Sequence, residues 1–159
     1  MNWTDVPGFF DSDLVYKMAV KSAQEGSVFV EIGTWKGKST SCMGQLIKSS
    51  EKNIKFYAVD TFEGSDEKFH QEWIKHLKNS NTSLFDEYEK NLKSCDVYDV
   101  VNTIKSTSVE ASSMFDDESV DFIFIDAAHD YESVLSDIKS WYPKIKPEGL
   151  ICGDDYVPC

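Results

Sequence analysis

The stretch Val28 to Thr40, VFVEIGTWKGKST, constrains this chain more than any other. Val28-Phe29-Val30 is a short apolar run, followed by Glu31-Ile32 and then Gly33, as in a strand buried within a parallel sheet. Thr34-Trp35-Lys36-Gly37 makes a turn, and Lys38-Ser39-Thr40 can open a helix. Strand, glycine turn and helix together present backbone N–H groups and a helix N-terminus to a ligand. Glycine serves where the backbone must take a positive φ or let a ligand come close. The turn is not the dinucleotide fingerprint, which wants a second glycine where Trp35 stands, and this disfavours a nicotinamide dehydrogenase.

The next strand, Lys55-Phe56-Tyr57-Ala58-Val59, ends in Asp60. That places an acidic residue near the ~20-residue offset after the glycine turn at which a carboxylate meets a ribose diol. A carboxylate can accept from both ribose hydroxyls. The alternative for Asp60 is a helix-cap or turn aspartate.

Elsewhere strands and helices alternate. Asp11-Ser12-Asp13 can cap a helix running to about Gly26, with Leu14, Val15, Met18 and Ala19 as an apolar stripe. Ser39 to Ser50 follows as the first crossover helix, with Met43, Leu46 and Ile47 toward the core. Asp66 to Ser83 reads as a surface helix and Leu84 to Leu92 as another, with Leu84, Phe85, Tyr88 and Leu92 on one face. Asp99 to Ile104 is the third strand, and a short helix lies near Val109 to Met114. Val120 to Ile125 is an apolar central strand ending at Asp126. Tyr131, Val134, Leu135, Ile138, Trp141 and Tyr142 repeat at helical spacing until Pro143 ends that helix. Gly149 opens a fifth strand, Leu150 to Gly153. This alternation specifies a parallel α/β sheet.

The 159 residues suit one domain with a single core, and 41% hydrophobic content is that of a globular chain. A net charge of −12 argues against nucleic acid as a partner, because phosphate binding needs a basic footprint. All 16 basic residues are lysine, so no bidentate guanidinium clamp is present. Cys42, Cys95, Cys152 and Cys159 show no C-x-x-C pairing; three sit in or beside expected elements, as small buried residues would, which argues against a zinc site or a disulfide framework. The N-terminus has no signal-peptide pattern and no apolar run reaches membrane-span length. The expectation is a soluble cytoplasmic protein without a membrane or nucleic-acid partner.

A second acidic group stands at the ends of neighbouring strands. Asp126, Asp154 and Asp155 are expected to converge, and hard oxygen donors in that number suit Mg²⁺ or Ca²⁺. Singly, each is also explained as a helix cap or turn residue. His129 is a candidate general base, or else a structural histidine bonded to its loop.

EIGTWKGKST, YAVDTFEGS, VDFIFIDAAHDYE and KPEGLICGDDY, in that order and spacing, resemble the signature blocks of class I S-adenosylmethionine-dependent methyltransferases. The branch most resembled contains metal-dependent small-molecule O-methyltransferases such as those acting on antibiotic sugars. The resemblance spans Val28 to Tyr156. It implies a Rossmann-like parallel sheet in the order 3-2-1-4-5 with helices on both faces, and methylation of a small-molecule oxygen by S-adenosyl-L-methionine. Cofactor contacts are implied at Glu31, Gly33, Thr34, Trp35, Gly37, Ser39, Asp60, Thr61, Phe62, Thr107, Ser108 and Asp126. Glu31 would lie near the methionine amino group. Thr107 and Ser108 stand where the family often has Gly-Asp near the adenine. Catalytic roles are implied for Asp126 and His129, with a metal on Asp126, Asp154 and Asp155 that would hold the substrate hydroxyl and lower its pKa. Where some members carry an aspartate as base, this chain has Ala128, which favours the alternative of a cofactor-binding module without turnover.

The family's sheet has seven strands, and residues 1–159 supply five. The expectation is a single methyltransferase domain lacking strands six and seven, with its fifth strand an open edge. Such an edge is expected either in a fragment of a longer protein or under a second copy of the chain.

Overall fold

The computed structural model describes residues 1–65 and 68–154. Its centre is a five-stranded parallel sheet in the order β3-β2-β1-β4-β5. The strands are β1 (Val28–Ile32), β2 (Lys55–Asp60), β3 (Val101–Lys105), β4 (Val120–Ile125) and β5 (Ile145–Gly153). The helices are α1 (Asp13–Ser22), α2 (Lys38–Ser50), α3 (Lys68–Asn79), α4 (Leu84–Ser94), α5 (Ser108–Ser112) and α6 (Tyr131–Trp141). The order and class agree with the sequence reading. In register, Val30 faces Tyr57 of β2 and Ile123 of β4.

The two-residue period of a strand sends alternate side chains to opposite faces. Phe29, Phe56, Phe122 and Phe124 join Tyr16 of α1 and Met43 and Ile47 of α2 in one layer. Val30, Ile32, Val59 and Ile123 pack against Ala111 of α5 and Trp141 of α6 in the other. A third cluster joins Val6, Phe62 and Leu77 to Leu84, Tyr88 and Leu92 of α4. Helices therefore cover both faces, and the ends of β1, β2 and β4 carry the turns of the site.

Three elements depart from the sequence reading. In α1 the buried face is Tyr16, Ala19 and Val20, whereas Leu14 and Met18 are exposed. In α6 the buried residues are Asp137 and Trp141, one turn apart, and Tyr131, Ile138 and Tyr142 are exposed. A helix with apolar residues on more than one side does not declare its inner face by spacing alone. The fifth strand begins at Ile145, before Gly149. Val120 pairs with Ile145, then Phe122 pairs with Leu150, so the segment containing Pro147 and Gly149 bulges out of register. Proline cannot donate to a ladder and is tolerated at such an edge bulge. Leu150 to Gly153 keep the expected pairing, with Phe122 to Ile125.

Candidate functional site

The carboxyl ends of β1, β2 and β4 open into one cavity of about 600 Å³, where open parallel sheets place their ligands. Gly33 begins its floor. Its φ is +85°, and a Cβ there would overlap the Asp126 carbonyl and stand 2.8 Å from the Ala127 Cα. Only glycine lets the ends of β1 and β4 approach so closely. The strand ends are stitched by Gly33 N–H donating to the Val59 carbonyl at 2.9 Å and Asp126 N–H donating to the Ile32 carbonyl at 2.8 Å.

The turn after Gly33 is shaped by Asp60. Asp60 Oδ2 accepts from the Thr34 N–H at 2.7 Å, the Trp35 N–H at 2.9 Å and the Thr34 hydroxyl at 3.2 Å. Oδ1 accepts from the Phe62 N–H at 2.7 Å. These bonds hold Trp35 at φ +47°. Asp60 therefore works as a turn residue, and it also lines the cavity. Its Oδ1 retains acceptor capacity, since a carboxylate offers about four lone-pair sites.

Gly37 lies under this turn at φ +82°, and a Cβ there would meet the Tyr88 ring at 2.9 Å. It is the N-cap of α2 and places no side chain on the helix's first amides. Lys38 and Ser39 of that first turn line the cavity, so a helix N-terminus with its partial positive charge borders it.

Thr34, Trp35, Thr61, Thr107, Ser108 and Asp126, for which the resemblance implied cofactor contacts, also line the cavity. Glu31, Gly37, Phe62 and His129 are not among its lining residues. Glu31 shares the strand face of Phe29, so its side chain turns into the α1–α2 layer. There Tyr16 donates to Oε1 at 2.9 Å and Thr40 donates to Oε2 at 2.6 Å. The carboxyl is 1% exposed, and burial raises its pKa to about 7 against the lowering effect of its hydroxyl donors. Phe62 is buried against Phe85 and Tyr88. His129 Nε2 lies 3.5 Å from Asp126 Oδ1.

Asp154 N–H donates to the Ile125 carbonyl at 3.1 Å, which puts Asp154 beside the end of β4. No group of three or more metal-ligating side chains gathers among the described residues, and Asp155 lies outside them.

Several lining residues carried no motif in the sequence. Trp35 stacks on His70 of α3, with ring centroids 4.0 Å apart, and His70 Nδ1 lies 2.6 Å from the Ser65 hydroxyl. Helix α3, read from sequence as a surface helix, thus supplies a wall of the cavity. Across from it, α6 contributes Glu132, Ser133, Ser136 and Asp137. Asp137 is 6% exposed, and burial raises its pKa while its hydrogen bond with the Ser108 hydroxyl opposes the rise. Ser108 Oγ also accepts from Trp141 Nε1 at 2.9 Å.

Residues 30–156 match the methyltransferase domain family, and the chain belongs to that family. It is 26% identical over 129 residues to the uncharacterized protein R132 of Acanthamoeba polyphaga mimivirus, an alignment covering 80% of this chain and 51% of that protein. The chain thus spans about half the length of that curated relative. Among solved structures, it is similar to a precorrin-6y C5,15-methyltransferase from Geobacter metallireducens, with a TM-score of 0.63 and 15% identity over 95% of this chain and 68% of that one. It is also similar to a SAM-dependent O-methyltransferase from Thermotoga maritima, with a TM-score of 0.60 and 16% identity over 93% of this chain and 44% of that one. At these identities the likeness is one of fold. No helix among the described residues is long and apolar enough to cross a membrane.

Proposed function

We propose that this chain binds S-adenosylmethionine across the ends of β1, β2 and β4 and serves the transfer of its sulfonium methyl to an oxygen of a small molecule. The observation that carries this reading is the cavity bounded by the Gly33 turn, Asp60 and the open N-terminus of α2. Asp60 Oδ1 is the acceptor for the ribose hydroxyls. The first turn of α2 suits the amino acid's carboxylate. The close approach of Gly33 to Asp126 brings the end of β4 alongside the place where methyl and acceptor would meet. The work asked of the residues is positional: holding the acceptor oxygen in line with the sulfonium methyl removes much of the barrier.

Asp126 is the lining carboxylate nearest the proposed acceptor, and His129 beside it can hold or pass a proton at Nε2. Asp126 and Asp154, at adjacent strand ends, are the two described hard-oxygen donors for a Mg²⁺ ion, whose chemistry there would be to polarise the acceptor hydroxyl. The alternative of cofactor binding without turnover is favoured by Ala128, which lines the cavity without a proton-accepting group. The family membership and the fold likeness support the cofactor class; the oxygen acceptor and the ion are parts of the proposal.

Titration calorimetry with S-adenosylmethionine, S-adenosylhomocysteine and NAD, each with and without Mg²⁺, tests the reading. Binding of the two sulfur compounds but not NAD is expected. Binding of NAD alone would overturn it. Methyl transfer to an added acceptor, followed with a labelled methyl group, separates enzyme from binding module.

A further inference from the structure

The cavity has two ends. One is the Gly33–Ser39 turn and helix start; the other lies beyond Asp60, where the loop Ser106–Val109 meets the inner face of α6. A nucleoside whose ribose rests on Asp60, with its amino-acid tail at the α2 N-terminus, must send its base to the second end. That end is built mainly of hydroxyls, from Ser106, Thr107, Ser108, Ser133 and Ser136, with two carboxyl groups from α6, the exposed Glu132 and the buried Asp137.

Asp137 is in an unusual position. It is 6% exposed and sits one turn from the fully buried Trp141. Among the described residues the Ser108 hydroxyl is the side chain whose hydrogen bonding opposes the rise of its pKa, and that oxygen accepts from Trp141 Nε1 at 2.9 Å. Asp137 itself lines the cavity, where a ligand can meet it. A buried carboxyl group is costly unless its polar atoms find partners.

We infer that Asp137, reaching in from α6 beside Ser108, is the residue that reads the adenine base of the bound cofactor. The inference rests on the proposed cofactor and adds a specificity determinant that lies outside the sequence motifs. Adenine presents an amino donor next to a ring-nitrogen acceptor. A carboxyl group accepts from the amino group in either protonation state. When protonated it also donates to the ring nitrogen, giving a two-point pairing. Burial, which favours the protonated form of Asp137, favours that pairing. A purine with hydrogen in place of the 6-amino group keeps the ring nitrogen but lacks the donor, and leaves an oxygen of the carboxyl group unmatched. Sites that hydrogen-bond a specific donor reject analogues lacking it strongly, because their buried polar groups are left unpaired.

The test compares S-adenosylhomocysteine with its analogue carrying hydrogen in place of the 6-amino group, by calorimetry on the full chain and on Asp137→Ala and Asp137→Leu. The full chain is expected to prefer the adenine compound by at least tenfold. Both variants are expected to lose most of that ratio, chiefly through weaker binding of the adenine compound. The ratio is the readout because general damage to the cavity weakens both ligands alike. Circular dichroism confirms folding, and Leu is included because it fills the space that Ala would empty. An unchanged ratio in a folded variant overturns the role of Asp137 and leaves the cofactor reading standing. A full chain that binds neither compound overturns the cofactor reading and this inference with it.

Discussion

Gly33 and Asp126 stand so close that a Cβ on the first would overlap the carbonyl of the second, 2.5 Å from its carbon. This is the joint at which β1 and β4 deliver their turns to one cavity. Gly33→Ala must push the strand ends apart and also strain a backbone at φ +85°. A left-handed conformation alone costs roughly 1–2 kcal/mol for a residue with a Cβ. Gly26 separates the two effects, because its φ is +80° yet nothing lies within 4 Å of its would-be Cβ. Gly26→Ala is expected to lose about 1 kcal/mol and Gly33→Ala at least twice that, by denaturant unfolding. Equal losses at the two sites would show that strain, not the Asp126 contact, dominates.

Asp60 ties the turn to β2 through three backbone N–H groups and one hydroxyl. Asp60→Ala leaves those donors without their acceptor, at a cost of roughly 1–3 kcal/mol for each group that water cannot reach. The turn holding Trp35 and Thr34 then loosens, and the proposed ribose acceptor is gone. The expected outcome is a lower melting temperature together with S-adenosylhomocysteine affinity weakened well over tenfold. Unchanged affinity in that variant would remove Asp60 from the site.

Helix α3 buries only Leu77, so its position depends on a few contacts at the cavity rim. Lys36 Nζ sits 3.3 Å from the centroid of the Trp73 ring, and Trp73 Nε1 donates to Glu87 Oε2 at 2.9 Å. Burial lowers the Lys36 pKa, and Glu87 partly restores it. A cation over an indole is worth about 0.5–2 kcal/mol. Trp73→Leu is expected to speed deuterium exchange across residues 68–79 severalfold while leaving the sheet amides protected. Exchange slowed to wild-type values by S-adenosylhomocysteine would tie α3 to the ligand through Trp35 and His70. No change in exchange would show that α3 is held by other contacts.

The parts of this fold governed by a short period were legible in the sequence. The apolar runs Val28–Val30 and Val120–Ile125 could be little else than inner strands of a parallel sheet, and their order followed from the family resemblance. Gly33 and Asp60 were legible as residues of the cavity because strand ends and glycine turns fix their location. Glu31 was only half legible. The family resemblance suggested the ligand, whereas its register with Phe29 sends it into the α1–α2 layer. Asp137 and His70 were not legible, because they come from helices whose rotation about their axes is set by tertiary packing. Tyr131, Ile138 and Tyr142 outnumbered Trp141 as apolar markers on α6, yet the size of Trp141 and its bond to Ser108 decided which side turns inward.

Glu31 gives the fold a pH dependence that can be read without any ligand. Its carboxyl is buried between the Tyr16 and Thr40 hydroxyls, and burial is the larger influence, raising its pKa to about 7. In the unfolded chain a glutamate titrates near ~4.3. Between those values the folded state holds a proton that the unfolded state has released, so stability falls as pH rises. The contribution is fully present below the unfolded pKa and is lost as the pH passes through about 7. A difference of this size corresponds to roughly 3.5 kcal/mol at most. The exposed carboxylates with lowered pKa, such as Asp86, Asp99 and Asp130, have the opposite slope and act in the acid range below their ordinary values. Buried Asp137 has the same sign as Glu31, so the comparison must be between wild type and Glu31→Gln. That variant keeps the shape of the side chain and cannot ionise. Urea unfolding from pH 5 to pH 8 is expected to show wild-type stability declining, with the Glu31→Gln curve flatter and above it at pH 8. Parallel curves over that interval would mean that Glu31 keeps the same charge in the folded and unfolded states.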